Sequence, residues 1–205
     1  MSGGAGTIGG GGAAGAGMGG NGTSGAGGMP GVPAAVVPEQ SGALYRFAFD
    51  GIVFEVDPRI GARIVTFSLG GKNILTGPSA NPDNFGSTYW PSPQSVWNWP
   101  PPPEIDKLAY AARIEGDTLV LDGMVHAALN LSVTKRFRVD PAHGQMVLEF
   151  ALNNTGNAAA TWAPWAISRV APGGLTFLGL GAGGSIANNG STPAAFSTQN
   201  SVAWY

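Results

Sequence analysis

Three of the six tryptophans, Trp90, Trp97 and Trp99, fall within ten residues of one another. They sit in the segment Asn84-Phe85-Gly86-Ser87-Thr88-Tyr89-Trp90-Pro91-Ser92-Pro93-Gln94-Ser95-Val96-Trp97-Asn98-Trp99, which runs on into Pro100 to Pro103. Rigid indole faces beside amide side chains suit a sugar ring, whose C–H faces stack on aromatic rings while amides hydrogen-bond its hydroxyls. The amides available are Asn84, Gln94 and Asn98. A second aromatic cluster, Trp162-Ala163-Pro164-Trp165, is followed by Arg169, four residues after Trp165 and on the same face of an extended strand. Its guanidinium suits a hydroxyl or a carboxylate of a sugar, or equally the end of a strand. Trp90, Gln94, Trp97, Asn98, Trp99, Trp165 and Arg169 are therefore the candidate ligand-contacting residues. The alternative is that the indoles cover the open end of a sandwich, since large aromatics are buried for area alone.

Other chemistries find little material. The chain has no cysteine, which removes disulfides, thiolate catalysis and thiolate metal sites. Its two histidines, His126 and His143, lack metal-ligand spacing, and His143 falls in a turn. No serine stands in a nucleophile elbow. Gly179-Leu180-Gly181-Ala182-Gly183-Gly184 matches a dinucleotide fingerprint, but Ile186-Ala187-Asn188-Asn189-Gly190 and Pro193 cannot supply the helix that must follow. No catalytic residue, metal or cofactor is assigned.

The composition narrows the partners. Only 11% of residues are charged and the net charge is −2, so there is no clustered basic face for a nucleic acid. No apolar run approaches the ~20 residues that a membrane-spanning helix needs. The oligomeric state is not legible.

Residues 1–40 read as a disordered leader. Positions 1–38 hold 16 of the 34 glycines, and the first charged residue is Glu39. Such a tract buries little and keeps high chain entropy. Glycine- and alanine-rich tracts of this kind tether exported bacterial domains, so an extracytoplasmic location is expected, with the signal peptide upstream of the written start.

From Leu44 the pattern alternates with period two, and residues 41–205 read as an all-β sandwich domain. Tyr45 to Phe49 and Ile52 to Val56 flank Asp50-Gly51, a hairpin turn. Leu129, Leu131, Val133, Phe137 and Val139 alternate with Asn130, Ser132, Thr134, Arg136 and Arg138. The apolar set resumes at Met146, Leu148, Phe150 and Leu152. An antiparallel hairpin closed by Pro141 to Gly144 sets Val139 against Met146, Phe137 against Leu148 and Val133 against Leu152. On the other face Arg136 meets Glu149, an expected ion pair. The prolines of the tryptophan segment predict a long loop or an edge there.

Certain of these residues carry a resemblance. Gly61-Ala62-Arg63-Ile64, Gly71 to Leu75, Asn84-Phe85-Gly86-Ser87, Trp90-Pro91-Ser92-Pro93-Gln94 and Trp97-Asn98-Trp99-Pro100-Pro101 are the first pieces. Val133-Thr134-Lys135-Arg136-Phe137 and Asn154-Thr155-Gly156, leading to Trp165, complete them. Together the stretch resembles the galactose mutarotase-like (aldose 1-epimerase-like) superfamily, and within it an uncharacterised bacterial family. The resemblance implies an antiparallel β-supersandwich, incomplete at its C-terminus, with a carbohydrate cleft across one sheet. It also implies a catalytic histidine after the Asn-Thr turn, where this chain has Trp162, Trp165 and Ile167, and a catalytic glutamate further on. Epimerisation needs both an acid and a base. The expected function is therefore carbohydrate binding without epimerase chemistry. A sugar epimerase and an inactive remnant are the alternatives.

Overall fold

The computed structural model describes residues 34–186 and 196–205. Most of the expected leader, and the stretch 187–195 after the glycine motif, lie outside these residues. The described part is all-β. It runs β1 (Glu39–Ser41), β2 (Leu44–Phe49), β3 (Ile52–Asp57), β4 (Arg63–Leu69), β5 (Lys72–Asn73) and β6 (Ser87–Ser92), then a 3-10 turn (Gln94–Val96) and a one-turn helix α1 (Pro103–Asp106). There follow β7 (Ala111–Glu115), β8 (Thr118–Asp122), β9 (Leu131–Asp140), β10 (Gln145–Asn154), β11 (Ala163–Ser168), β12 (Phe177–Gly179), β13 (Ser197–Gln199) and β14 (Val202–Trp204). Among the described residues, no helix is long and apolar enough to cross a membrane.

One sheet has the order β1-β2-β3-β4-β6-β11, with β5 against β4; a second has β10-β9-β8-β7, and a small third has β12-β14-β13. Pairing is antiparallel throughout. Paired strands already begin at Glu39, inside the stretch read as leader. The first two sheets pack face to face. Phe47, Phe54, Val56, Ile64 and Tyr89 from one meet Leu119, Leu121, Val133, Phe137 and Val139 from the other. Phe54 meets Phe137 edge-on at 5.5 Å, and Tyr89 stacks on Phe150 at 4.3 Å between ring centroids.

Both hairpins follow their sequence signals. Asp50 (φ 45°) and Gly51 (φ 76°) occupy the left-handed region that a two-residue hairpin turn requires. The β9–β10 register places Val139 opposite Met146, Phe137 opposite Leu148 and Val133 opposite Leu152. Arg136 does stand across from Glu149, yet the two are not among the ion pairs formed by the described residues. Both side chains are exposed, where water solvates each charge and pairing gains little.

The tryptophan segment departs from the loop expectation. Ser87–Ser92 is a strand, paired to β11 along its whole length, with Pro91 directly opposite Pro164. Two prolines can face each other in an antiparallel ladder at a non-hydrogen-bonded position, where neither N–H is owed to the neighbour. On its other side β6 meets β4 only at Ser87 opposite Ile64, so past that point Pro91 interrupts no second ladder. Period two then separates the aromatic rings. Tyr89 enters the core, and Trp90 goes to the outer face of the sheet.

Candidate functional site

Trp90 is the centre of that outer face. Its cross-strand partner is Trp165 on β11, and their rings meet edge-to-face at 5.4 Å. Trp97 and Trp99 approach the same indole edge-on at 6.1 and 5.6 Å. The 3-10 turn delivers them: the Gln94 carbonyl accepts the N–H groups of Trp97 at 3.1 Å and Asn98 at 2.7 Å. Asn98 then takes φ 59°, a left-handed conformation that Asn tolerates well. The Trp97 indole N–H donates to the Pro91 carbonyl at 2.8 Å, fixing the turn to β6.

Exposure separates these side chains by role. Trp90 is 3% exposed, whereas Trp165 is 36% and Trp99 57% exposed. Trp90 is thus a buried post, and Trp99 and Trp165 offer ring surface to solvent, with Trp97 and Gln94 half-buried and Asn98 exposed. Arg169, one residue past β11, lies over the Trp90 ring at 5.4 Å from its centroid. It donates to Thr88 Oγ1 at 3.1 Å and, at a longer 3.5 Å, to Asn84 Oδ1. Its backbone is clamped: the Arg169 N–H donates to Gly86 O at 3.0 Å, and the Thr76 N–H donates to Arg169 O at 2.9 Å. Of the other six residues chosen from the sequence, Trp97, Trp99, Trp165 and Arg169 lie against Trp90, while Gln94 and Asn98 belong to the 3-10 turn and its end.

Beneath that face lies a buried polar cluster that the sequence did not assign. Asp106, at the end of α1, accepts the Trp90 indole N–H on Oδ1 at 2.7 Å and the Arg63 guanidinium on Oδ2 at 3.4 Å. Arg63 also donates to the Asp83 carbonyl at 2.9 Å and lies over the Phe85 ring at 4.6 Å, while its buried Nε has no partner among the described residues. Burial lowers the pKa of Arg63, against the pull of Asp106, Asp83 and Asp57. Lys107 pairs with Asp83 at 2.9 Å, so the loop before β6 is tied from two sides.

Lys135, 2% exposed, comes from the opposite sheet. It donates to the carbonyls of Gly61 at 2.7 Å and Ala62 at 3.3 Å, and faces the Tyr110 ring at 5.2 Å. Burial pushes its pKa down to about 7, with Arg63 adding to the fall and Asp106 opposing it. Burial likewise pushes the Tyr110 phenol up, and its O–H donates to the Ile105 carbonyl at 3.0 Å. The signal for Lys135 was available: it shares parity with Leu131, Val133, Phe137 and Val139, and so had to face inward.

The histidines lie elsewhere. His126 Nδ1 accepts the Leu129 N–H at 3.2 Å in the turn before β9, and His143 Nδ1 sits 2.7 Å from Asp140 Oδ2 in the β9–β10 turn. Among the described residues, no three His, Asp or Glu side chains converge as metal ligands. Gly179 ends β12, and the residues expected to deny the glycine motif a helix, 187–190, lie outside the described set. Two cavities are formed elsewhere. One of about 330 Å³ opens between the sheets among Phe54, Phe67, Leu75 and Met146; one of about 790 Å³ lies beside Ile74, Leu175 and Tyr205. The tryptophan site is an open face by comparison. Compared with known proteins, the chain matches no family model, no curated protein and no solved structure.

Proposed function

We propose that this domain binds carbohydrate on the outer face of its larger sheet, as a galactose mutarotase-like supersandwich without epimerase chemistry. One observation carries the reading: four indoles share one open face, with a buried ring at the centre and two solvent-facing rings beside it. Covering core does not require that arrangement, because Trp99 and Trp165 leave much of their area in water. Ring faces held rigidly in solvent suit the C–H faces of a pyranose, while the amides of Gln94 and Asn98 and the hydroxyl-seeking Arg169 supply polar contacts. The buried Asp106–Arg63 pair acts indirectly, holding Trp90 and the loop before β6 in place. An exported location agrees with a ligand met outside the cell.

The test is calorimetry of the full chain against a panel of mono- and oligosaccharides. Saturable binding by at least one saccharide, weakened by Trp99→Ala and by Trp165→Ala, supports the reading. A correctly folded chain that retains no saccharide overturns it.

A further inference from the structure

Arg169 is a half-buried guanidinium whose side chain, among the described residues, hydrogen-bonds only neutral oxygens, Thr88 Oγ1 and Asn84 Oδ1. Its guanidinium carbon lies over the Trp90 ring, 5.4 Å from the centroid. Guanidinium offers five N–H donors in a fork matched to a carboxylate, so these two bonds leave donors free. All 12 acidic residues of the chain fall within the described residues, and none lies within ion-pair distance of Arg169. The nearby carboxylates are taken: Asp106 by Trp90 and Arg63, Asp83 by Lys107. Glu104, also on α1, is not taken: it forms no ion pair, with Arg169 or otherwise, and among the described residues its Oε2 is buried without a partner. A second cation, Arg63, is buried close by, and its Nε has no partner among the described residues. Arg169, half-buried without a carboxylate, bears a desolvation cost that an incoming anion would offset.

Resting on the carbohydrate reading, we infer that the ligand is an acidic sugar, a hexuronate or a glycan containing one, whose carboxylate pairs with Arg169 while its ring lies on Trp165 or Trp99. A planar carboxylate accepts two parallel bonds from one guanidinium, which a hydroxyl cannot do. The neighbouring indoles exclude water from one side and strengthen that pair. Trp165 and the Arg169 guanidinium both lie against Trp90, each 5.4 Å from its ring centre, so ring and charge flank one indole. A free carboxylate without a sugar would use the arginine but leave the indoles idle.

The experiment is a calorimetric titration of the full chain with matched pairs: glucose and glucuronate, galactose and galacturonate, mannose and mannuronate. Each pair is used as the monosaccharide and as its homo-oligosaccharide, and acetate is the plain anion. At least one uronate should bind about ten-fold more tightly than its neutral partner, the worth of one charge-assisted hydrogen bond. Acetate should bind far more weakly than that uronate. Arg169→Gln should erase the preference, lowering the affinity for the uronate by about ten-fold more than the affinity for its neutral partner. Neutral sugars binding as tightly as uronates, acetate matching the uronate, or unchanged uronate affinity in Arg169→Gln each overturn the acidic-sugar inference while the carbohydrate reading stands. Binding of neither class overturns both. Should Arg169→Gln not fold, the wild-type preference within each pair decides alone.

Discussion

The indole N–H of Trp90 donates to Asp106 Oδ1 at 2.7 Å, and both side chains are buried. The carboxylate's other oxygen faces Arg63 at 3.4 Å. One residue therefore joins the centre of the aromatic face to the arginine that holds the loop before β6. This hydrogen bond is the seam between fold and site.

Removing that carboxylate should be felt as stability. Asp106→Leu leaves a buried guanidinium without a counter-charge and an indole N–H without an acceptor, at a cost of about 3–5 kcal/mol. Asp106→Asn keeps an acceptor for Trp90 and loses only the charge, so it should cost less. Urea denaturation followed by tryptophan fluorescence, with the slope unchanged and the midpoint lowered in that order, checks the ranking.

Lys135 should make stability rise with pH. Its pKa is ordinarily near 10.5 and falls to about 7 in the folded domain. Below that value both folded and unfolded chains hold the proton, and the folded state bears the full burial cost. Between pH 7 and 10.5 the unfolded chain binds it and the folded state does not, so stability climbs by about 1 kcal/mol per pH unit. Lys135→Met removes the titration. The stability difference between wild type and Lys135→Met, measured by denaturation from pH 6 to 9.5, should shift in favour of wild type across that window. A flat difference would contradict the assignment.

The turn that receives Lys135 tolerates no side chain at Gly61. Gly61 has φ 70°, and a Cβ there would lie 2.1 Å from the Asp106 carbonyl oxygen. Gly42 has nearly the same φ, 61°, with open space around it. Gly42→Ala should cost about 1–2 kcal/mol, the left-handed penalty alone. Gly61→Ala adds a backbone clash, and a loss above about 4 kcal/mol is expected. Thermal melts of the two variants side by side separate strain from collision.

The tryptophans should divide by role. Trp90→Ala deletes a buried ring and should cost about 3–5 kcal/mol. Trp99→Ala should cost much less, because more than half of its side chain is already in water. Near-ultraviolet circular dichroism with denaturation should show wild-type-like packing for Trp99→Ala and a marked loss for Trp90→Ala.

Legibility in the sequence followed the range of the interaction. The β9–β10 hairpin was readable because two faces and one short loop demand a single register. Arg169 was readable from its spacing to Trp165. Lys135 sat at an inward position in the same alternating strand, but its partners, Gly61 and Ala62, are 74 and 73 residues away. Asp106 follows a proline run and carries no motif that singles it out. Its role depends on Trp90 pointing outward, and that follows only once Ser87–Ser92 is known to be a strand between β4 and β11. Prolines in that segment argued for a loop, and the register that lets Pro91 face Pro164 is set by a strand more than 70 residues on.

The most direct measurement follows the indole N–H resonances of the full chain by nuclear magnetic resonance while a bound saccharide is added. With each of the six tryptophans assigned by substitution, the Trp99 and Trp165 signals should move first and furthest, with Trp97 next. Trp162, packed against the core, and Trp204, in the separate three-stranded sheet, should stay still. Movement confined to Trp162 or Trp204, with Trp99 and Trp165 unmoved under saturating saccharide, would place the ligand somewhere else and contradict the account.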